Sequence, residues 1–226
     1  MKLSILIPVF NEENTVKNMI DKVLSVNVEK ELIIIDDAST DGTMEVLYAF
    51  RNNPVIKILR HERNMGKGCA IKTAIPHISG ELSIIQDADL EYEPQEIPAL
   101  MEPIINGKAD VVYGSRFLRP NKNIYLTYYM GNKFLSLFIS ALFFKRITDS
   151  YTCYKLFKTE ILKKINISSS GFEMEAEITS KLLKYGYRIL EIPISYNPRR
   201  IEEGKKICWK DAVKGILKAL SVRLSG

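Results

Sequence analysis

Short apolar runs alternate with segments of helical periodicity along the first half of the chain. The candidate strands are Leu3–Pro8, Glu31–Asp36, Val55–Arg60, Leu82–Gln86 and Val111–Tyr113. The candidate helices between them are Glu13–Leu24, Thr43–Arg51, Gly66–Ile78 and Pro94–Ile105. Strands that alternate with helices predict βαβ units, because parallel strands need a crossover connection and a helix usually supplies it. The sequence therefore predicts an α/β fold with a mostly parallel sheet flanked by helices.

Polar side chains lie at the ends of three candidate strands. Asn11-Glu12 follows the first strand, Asp36-Asp37 ends the second, and Asp87-Ala88-Asp89 follows the fourth. In open α/β sheets, ligands bind at the carboxyl ends of the strands. One acidic tripeptide alone is more typical of a solvated turn. Three polar strand ends together favour a binding site at this edge of the sheet.

The fourth candidate strand ends in carboxylates at alternating positions. Asp87 and Asp89 are two residues apart, and Glu91 follows after two more. Carboxylate oxygens are the ligands that Mg²⁺ and Mn²⁺ favour, together with phosphate oxygens. These residues are therefore the candidate metal ligands.

Length and composition predict one globular domain, or one such domain with an appendage. The chain has 226 residues, of which 46% are hydrophobic and 26% charged, and its net charge is +5. The residues from Ser195 onward include eight Lys/Arg and three Asp/Glu, so this segment carries a surplus equal to that of the whole chain. A basic segment favours an anionic partner such as a phosphate, a nucleic acid or a membrane surface. Three dispersed cysteines and a first apolar run too short for a signal peptide favour a cytoplasmic location.

The second half contains two candidate helices that could contact a membrane surface. The apolar run from Phe134 to Phe144 follows Asn132 and Lys133, and at about eleven residues it is shorter than a membrane-spanning helix. A core helix and an interfacial helix are both compatible with it. The last candidate helix, Trp209–Val222, combines an apolar face with lysines at helical spacing, which are Lys210, Lys214 and Lys218. Either packing on the domain or binding to anionic lipid explains that face.

Two common nucleotide-binding motifs are absent from the sequence. There is no Gly-x-x-x-x-Gly-Lys-Ser/Thr, which argues against a P-loop, and no Gly-x-Gly-x-x-Gly follows the first strand. Gly66-Lys67-Gly68 is only a fragment and is interpreted as the start of a helix. A metal at a strand end still fits a nucleoside diphosphate, because the cation neutralises diphosphate charge and makes it a leaving group.

Several short motifs occur in a fixed order along the chain, and they are Ile7–Glu13, Ile35–Thr43, Arg63–Gly68, Asp87–Asp89 and Gly114–Arg116. In this order they resemble the motifs of the GT-A glycosyltransferases of family 2. Further motifs resemble the dolichol-phosphate mannose synthase branch of that family, namely Thr148–Lys155, Gly171–Glu177, Ile192–Tyr196 and Glu202–Lys206. The resemblance implies a GT-A, Rossmann-like fold. It also implies transfer of a hexose from a nucleotide sugar, of the GDP-mannose or UDP-glucose type, to dolichyl or polyprenyl phosphate.

The resemblance also implies roles for individual residues. The nucleotide sugar would contact Pro8, Phe10, Glu12, Asp37, Asp87, Ala88, Arg199 and Lys205. Mg²⁺ or Mn²⁺ would be held by Asp87, Asp89 and Glu91, the last where the family often has Gln. Asp89 and Arg116 would be catalytic, and Arg116 and Lys133 would bind the acceptor phosphate. Residues 1–116 would form the nucleotide-sugar and metal half of one domain, and residues 117–226 the acceptor and membrane-facing half. The enzyme would lie peripherally on the cytoplasmic face of the membrane.

The acceptor phosphate is already an anion, so the predicted reaction needs no general base and is a single inverting displacement. Glu173, Glu175 and Glu177 alternate, and such spacing does not place all three on one helix face. No base is assigned among them. Two alternatives stay open, a family 2 transferase that acts on a soluble glycan and a non-catalytic nucleotide-sugar binding protein. A nucleic-acid partner is not expected, because the basic surplus is local and lacks a recognised module.

Overall fold

The computed structural model describes residues 1–121, 125–199 and 209–225. The strands are β1 Leu3–Val9, β2 Lys30–Asp36, β3 Ile56–Arg60, β4 Leu82–Ile85, β5 Val111–Ser115, β6 Lys155–Lys158 and β7 Ile189–Pro193. The helices are α1 Val16–Ser25, α2 Thr43–Tyr48, α3 Lys67–Ala74, α4 Ile97–Ile105, α5 Leu126–Phe143, α6 Thr159–Lys164, α7 Met174–Lys184 and α8 Trp209–Leu224. Short 3₁₀ turns, Ile75–His77 and Pro94–Glu96, follow α3 and precede α4.

The strands form one seven-stranded sheet in the order β3-β2-β1-β4-β6-β5-β7. Strand β1 pairs in parallel with β2 and β4, and the pairs β2–β3 and β5–β7 are also parallel. Almost every residue of β1, β2 and β4 is buried, because helices cover both faces of the sheet. The predicted α/β fold with a mostly parallel sheet is confirmed. The polar ends of β1, β2 and β4 therefore meet at one edge.

Strand β6 is not among the strands predicted from the sequence. It runs antiparallel to both neighbours and lies between β4 and β5. Its four residues include Lys155, whose side chain is fully buried. A lysine in so short a strand resembles a surface loop in sequence, and this explains why the strand was missed.

Helix α5 begins earlier than the apolar run indicated. It extends from Leu126 to Phe143, so Asn132 and Lys133 lie within it and do not interrupt it. Its inner face packs with α7 and α8 in a cluster separate from the main core, formed by Leu135, Ile139, Phe143, Tyr151, Ala176, Ala219 and Val222. The inner face of α5 is therefore packed on the domain, as the core-helix interpretation predicts.

The opposite face of α5 carries exposed apolar side chains. Leu126, Met130, Phe134 and Leu137 recur at helical spacing and are 58–73% exposed. We call these four residues the α5 stripe. At about 100° per residue they occupy one narrow face. No helix within the described ranges is long and apolar enough to cross a bilayer.

Helix α8 divides the apolar side chains of its predicted face between the protein and solvent. Ile216 and Ala219 pack in the cluster with α5, whereas Val213 and Leu217 are exposed. Lys214 on the same helix is also exposed. The helix therefore packs on the domain and also presents a mixed apolar and basic surface.

Candidate active site

A cavity of about 350 Å³ opens at the carboxyl ends of β1, β2 and β4. The predicted site residues that line it are Pro8, Phe10, Glu12, Asp37, Asp87, Ala88, Asp89, Glu91, Arg116 and Arg199. Lys133 does not line it, and Lys205 lies outside the described residues. The residues brought together come from both halves of the sequence, because Arg199 follows β7 and reaches the ends of β1 and β4.

Asp37 organises the loop at one end of the cavity. Its Oδ1 accepts a hydrogen bond from the backbone N–H of Met65 at 2.8 Å and lies 2.6 Å from Nδ1 of His61. Its Oδ2 accepts from the N–H of Gly66 at 2.7 Å. Gly66 has φ of +91°, a conformation that glycine adopts without strain. Asp37 therefore fixes the turn before α3, and its predicted contact with the nucleotide stays a prediction.

Asp87 is paired with Lys67 at the floor of the cavity. The ammonium of Lys67 lies 2.8 Å from Oδ1 of Asp87 and 3.2 Å from Oε1 of Glu175. Glu175 in turn pairs with the fully buried Lys155. Burial alone would raise the pKa of Asp87, but the charge and hydrogen bond of Lys67 outweigh it and lower that pKa. Two lysines and two carboxylates thus compensate each other, and Asp87 is ionised.

Asp89 stands in an environment rich in negative charge. Burial first, and then the charges of Asp87 and Glu91, raise its pKa to about 7, although Arg199 opposes the shift. One nitrogen of Arg199, Nη2, lies 3.2 Å from Oδ2 of Asp89. The other, Nη1, lies 3.0 Å from Oε2 of Glu12. A carboxylate whose pKa rises through its acidic neighbours lies where additional positive charge is stabilising.

Glu91 holds the chain segment that carries Arg199 through hydrogen bonds. Its carboxylate accepts hydrogen bonds from the Tyr196 hydroxyl and from the Arg199 N–H, both at 2.8 Å. Its carbonyl accepts from the N–H of Asn197 at 2.9 Å. Both carboxylate oxygens of Glu91 are therefore engaged in this conformation. Its predicted role as a metal ligand would require these bonds to be exchanged.

Asp87 and Asp89 fit a divalent cation as a pair. Within the three described ranges, no group of three or more His, Cys, Asp or Glu side chains is arranged around a common centre. Mg²⁺ does not need one, because it is usually held by one or two carboxylates together with substrate phosphates and water. Asp87, Asp89 and Glu91 follow one strand and all three line the cavity, and this concentration of carboxylates is the observation that supports the fit.

Arg116 lies at the opposite end of the cavity, where Asp149 neutralises it. Nε and Nη2 of Arg116 each donate to the Asp149 carboxylate at 2.8 Å, and the Arg116 N–H donates at 3.0 Å. Its guanidinium also lies 5.1 Å from the centre of the Tyr196 ring. The remaining donor, Nη1, takes no part in the Asp149 fork. Lys133 stands nearby over the Tyr129 ring, 4.7 Å from its centre.

Three functional partners were not identified from sequence. Lys67 was interpreted only as the start of α3, which does begin there. Asp149 was part of a recognised motif but received no role. Tyr196 ended another such motif. These residues act by holding the predicted ones, and a motif gives no indication of such pairings.

The three alternating glutamates have separate environments, as their spacing predicted. Glu173 accepts hydrogen bonds from the N–H groups of Ser170 and Gly171 at the start of α7. Glu175 faces the cavity floor and Lys155. Glu177 is buried beneath Ser168 and Ser169 and accepts their N–H groups. Only Glu175 lines the cavity.

Solved structures with the same fold include glucosyl-3-phosphoglycerate synthase from Mycobacterium tuberculosis. The match to its complex with Mn²⁺, UDP and phosphoglyceric acid has a TM-score of 0.79 at 18% identity, and covers 100% of this chain and 79% of that one. A second structure of the same protein, with Mg²⁺ and UDP, matches with a TM-score of 0.75 at 20% identity. This likeness supports the GT-A fold.

Curated relatives include three archaeal transferases. Dolichol-phosphate mannosyltransferase of Pyrococcus furiosus is 27% identical over 91% of this chain and 59% of its own length. The low-salt glycan biosynthesis hexosyltransferase Agl6 of Haloferax volcanii is 27% identical over 88% of this chain and 49% of its own. The chain thus spans only about half to three-fifths of these two relatives. UDP-N-acetylglucosamine–dolichyl-phosphate N-acetylglucosaminyltransferase of Methanococcus voltae is 30% identical over 84% of this chain and 83% of its own.

The family model for glycosyl transferase family 2 matches residues 4–166. This range contains β2 to β6, all of β1 except its first residue, and the carboxylates at the ends of β1, β2 and β4. It therefore includes most of the sheet and most of the cavity described above. The chain belongs to glycosyl transferase family 2.

Proposed function

We propose that the enzyme transfers a hexose from a nucleotide sugar to a polyprenyl or dolichyl phosphate, with inversion at the anomeric carbon. Two of its relatives carry dolichyl or dolichol phosphate in their names. The donor would lie along the ends of β1, β2 and β4, with the base near Pro8 and Phe10 and the diphosphate near Asp87 and Asp89.

The observation that carries the choice of a lipid acceptor is the position of α5. Tyr129 and Asn132 on this helix line the cavity, whereas the α5 stripe beside them is exposed and apolar. One helix thus joins the end of the cavity that contains Arg116 to a surface suited to acyl or isoprenoid chains. A phosphate on a long apolar tail would fit both the cavity and this surface. Its charged end would lie in the cavity, and its tail would lie along the α5 stripe or in the membrane.

A second cavity supports the same position for the acceptor. Its volume is about 470 Å³ and it shares Arg116, Phe117 and Tyr129 with the first cavity. Arg119 also lines it. Two arginines beside aromatic side chains suit a phosphate group that approaches from the α5 side, since arginine forms planar bidentate contacts with phosphate.

Asp87 and Asp89 would hold Mg²⁺ or Mn²⁺ together with the donor diphosphate. A bound divalent cation supplies charge neutralisation to the leaving nucleoside diphosphate. The chain's own contribution is two arginines that line the cavity, Arg116 at the acceptor end, whose Nη1 lies outside the Asp149 pair, and Arg199 between the ends of β1 and β4. These charges offset the repulsion between an anionic acceptor and an anionic donor, and preorganised charges of this kind are commonly the largest catalytic contribution. No side chain is needed to deprotonate the acceptor.

Contact with the membrane would be peripheral and on the cytoplasmic face. The α5 stripe would enter the headgroup region, and the exposed Lys210 and Lys214 of α8 would attract anionic lipids. Val213 and Leu217 would add apolar contact from the same helix.

Incubation of labelled nucleotide sugars with polyprenyl phosphate in detergent tests the function. We expect label to enter the organic phase with polyprenyl phosphate and to stay in the aqueous phase when free sugars replace it. Excess EDTA should abolish transfer. Label that moves to soluble glycans with equal efficiency would refute the lipid acceptor, and binding of the donor without any turnover would refute catalysis.

A paired substitution tests the role of α5. Phe134→Ser in the α5 stripe should weaken binding to anionic vesicles and transfer to the lipid. Ile105→Ser is the matched control, because this side chain is 54% exposed at the end of α4 and lies outside the cavity lining. Equal loss in both variants would contradict the assignment.

A further inference from the structure

Arg199 crosses the cavity between two carboxylates that belong to different strands. Its Nη1 lies 3.0 and 3.1 Å from the two oxygens of Glu12, which follows β1. Its Nη2 lies 3.2 Å from Oδ2 of Asp89, which follows β4. The Arg199 side chain is only 17% exposed. The guanidinium therefore occupies the space between the two strand ends at which the donor diphosphate is proposed to bind.

The backbone that carries Arg199 is fixed, whereas its guanidinium is incompletely bonded. The Arg199 N–H donates to Glu91, which also accepts from Tyr196. The Nε atom of Arg199 is buried and has no hydrogen-bond partner within the described part of the chain. Because a guanidinium has five donors and buried donors without a partner are costly, this one retains capacity for a further acceptor. It can change partners while its backbone remains attached to Glu91.

A divalent cation and this guanidinium would compete for the Asp89 carboxylate, because both are positively charged. Mg²⁺ binds carboxylate oxygens at about 2.0–2.1 Å. A cation so close to Asp89 would lie beside the positive charge of Arg199, which is hydrogen-bonded to the same carboxylate. A cation that binds alone is therefore repelled by Arg199, and it offers the guanidinium no new partner in place of Asp89. A cation that arrives with a nucleoside diphosphate brings phosphate oxygens, which guanidinium groups bind in bidentate fashion.

We propose that Arg199 is an internal counter-ion that makes binding of the divalent cation depend on the nucleoside diphosphate. Before the donor binds, Arg199 bridges Glu12 and Asp89 and opposes entry of the cation alone. When cation and diphosphate bind together, the guanidinium exchanges Asp89 for a phosphate oxygen, and its unused Nε provides a second donor. This inference rests on the proposed function only in taking a nucleotide sugar as the donor. It adds that the cation and the diphosphate bind as one unit.

Lys67, unlike Arg199, is not expected to change partners when the donor binds. Its ammonium lies between Asp87 and Glu175, and Lys155 compensates Glu175 from the other side. Lys67 is therefore held by a buried group of four charges. We expect it to stay in place when the donor binds, so the exchange concerns Arg199 alone.

The test compares Mn²⁺ binding with and without nucleotide. Binding of Mn²⁺ alone, followed by the electron paramagnetic resonance of the free ion, should be about tenfold tighter or more in Arg199→Gln than in the wild type. In the presence of UDP or GDP the wild type should bind Mn²⁺ much more tightly than without nucleotide. This gain should be reduced in Arg199→Gln. Arg199→Lys, which keeps the charge without the planar fork, should lie between the two.

Arg188→Gln is the matched control. Arg188 pairs with Asp110 at the opposite edge of the sheet, so its removal changes the net charge equally but leaves the cavity intact. Its Mn²⁺ affinity should equal that of the wild type. Unchanged Mn²⁺ affinity in Arg199→Gln, or an undiminished gain from nucleotide, would overturn the role of Arg199 and leave the proposed transfer untouched. Absence of Mn²⁺-dependent nucleotide binding in every protein would instead contradict the metal site of the proposed function.

Discussion

Replacement of Arg116 by methionine should destabilise the protein strongly, whereas the same change at Arg188 should not. Both arginines donate through the backbone N–H, Nε and Nη2 to one aspartate, Asp149 and Asp110 respectively. The two pairs thus have the same bonding pattern and differ in burial. The side chains of Arg116 and Asp149 are 9% and 0% exposed, against 59% and 19% for Arg188 and Asp110.

The expected magnitudes follow from that difference. Arg116→Met leaves the Asp149 carboxylate buried without its counter-ion, a change that costs about 3–5 kcal/mol in other buried pairs. Arg188→Met leaves Asp110 partly exposed and still paired with Lys158 at 3.0 Å, so the free energy of unfolding of this variant should stay close to that of the wild type. In a domain of this size each kcal/mol shifts Tm by about 2–4 °C, so the Arg116 variant should melt about 6–20 °C lower.

Equilibrium unfolding in urea measures the two free energies directly, and an unchanged slope would show that the unfolded state is unaffected. The double variant Arg116→Met with Asp149→Leu should recover much of the lost free energy of unfolding, because an apolar pair leaves no buried carboxylate without a counter-ion. Equal costs for the Arg116 and Arg188 variants would refute the reasoning, since burial would then have no bearing on the energy of the pair.

Three further predictions concern other buried groups. Burial would raise the pKa of Glu177, but hydrogen bonds from Lys181 and from the loop before α7 outweigh it and lower that pKa to about 2. The stabilisation is therefore complete above the ordinary glutamate pKa and is lost as pH falls from there towards 2, and urea unfolding of Glu177→Gln should lack this component. A Cβ at Gly215 would overlap the Tyr151 hydroxyl, so Gly215→Ala should lower the free energy of unfolding by about 1–3 kcal/mol, and a second change, Tyr151→Phe, should restore part of it. Tyr151→Phe alone should be close to neutral in thermal unfolding, because that hydroxyl has no hydrogen-bond partner among the described residues.

Apolar periodicity predicted the elements whose burial follows a simple rule. The strands β1, β2 and β4 are buried on both faces, and their observed bounds differ from the predicted ones by about one residue, within the normal spread of assignments. The candidate helix Gly66–Ile78 divides into α3 and a 3₁₀ turn at Ile75–His77. Pro76 accounts for this division, because proline lacks the N–H that would continue the helical ladder.

Where a buried position holds a charged residue, sequence patterning failed. Lys155 is buried because Glu175 pairs with it from a helix that is distant in the chain. Helix α5 was placed too late because Asn132 and Lys133 were interpreted as an interruption. In the structure Asn132 lines the cavity, and Lys133 lies over the Tyr129 ring. Both polar residues have a partner that only the folded chain provides.

Several motif residues line the cavity, but the motifs did not indicate how its charges are compensated. The positions around Asp87 and Asp89 line the cavity as expected. Their pairing with Lys67 and Arg199 depends on the meeting of α3 and the segment after β7 with the end of β4. Such pairings are long-range in sequence and are not encoded in the spacing of any single motif.

The antiparallel strand β6 also limits how this protein can be divided or rearranged by engineering. A cut after residue 116 would give a first fragment that contains β4 and β5 but lacks the strand that separates them in the order of the sheet. Strands β4 and β5 would then each present an unpaired backbone edge, which promotes aggregation. We therefore expect the fragments 1–116 and 117–226 to be insoluble when produced alone and to regain activity only when produced together. The nucleotide-sugar half and the acceptor half would thus differ in what they bind but would fold only together, as one cooperative unit.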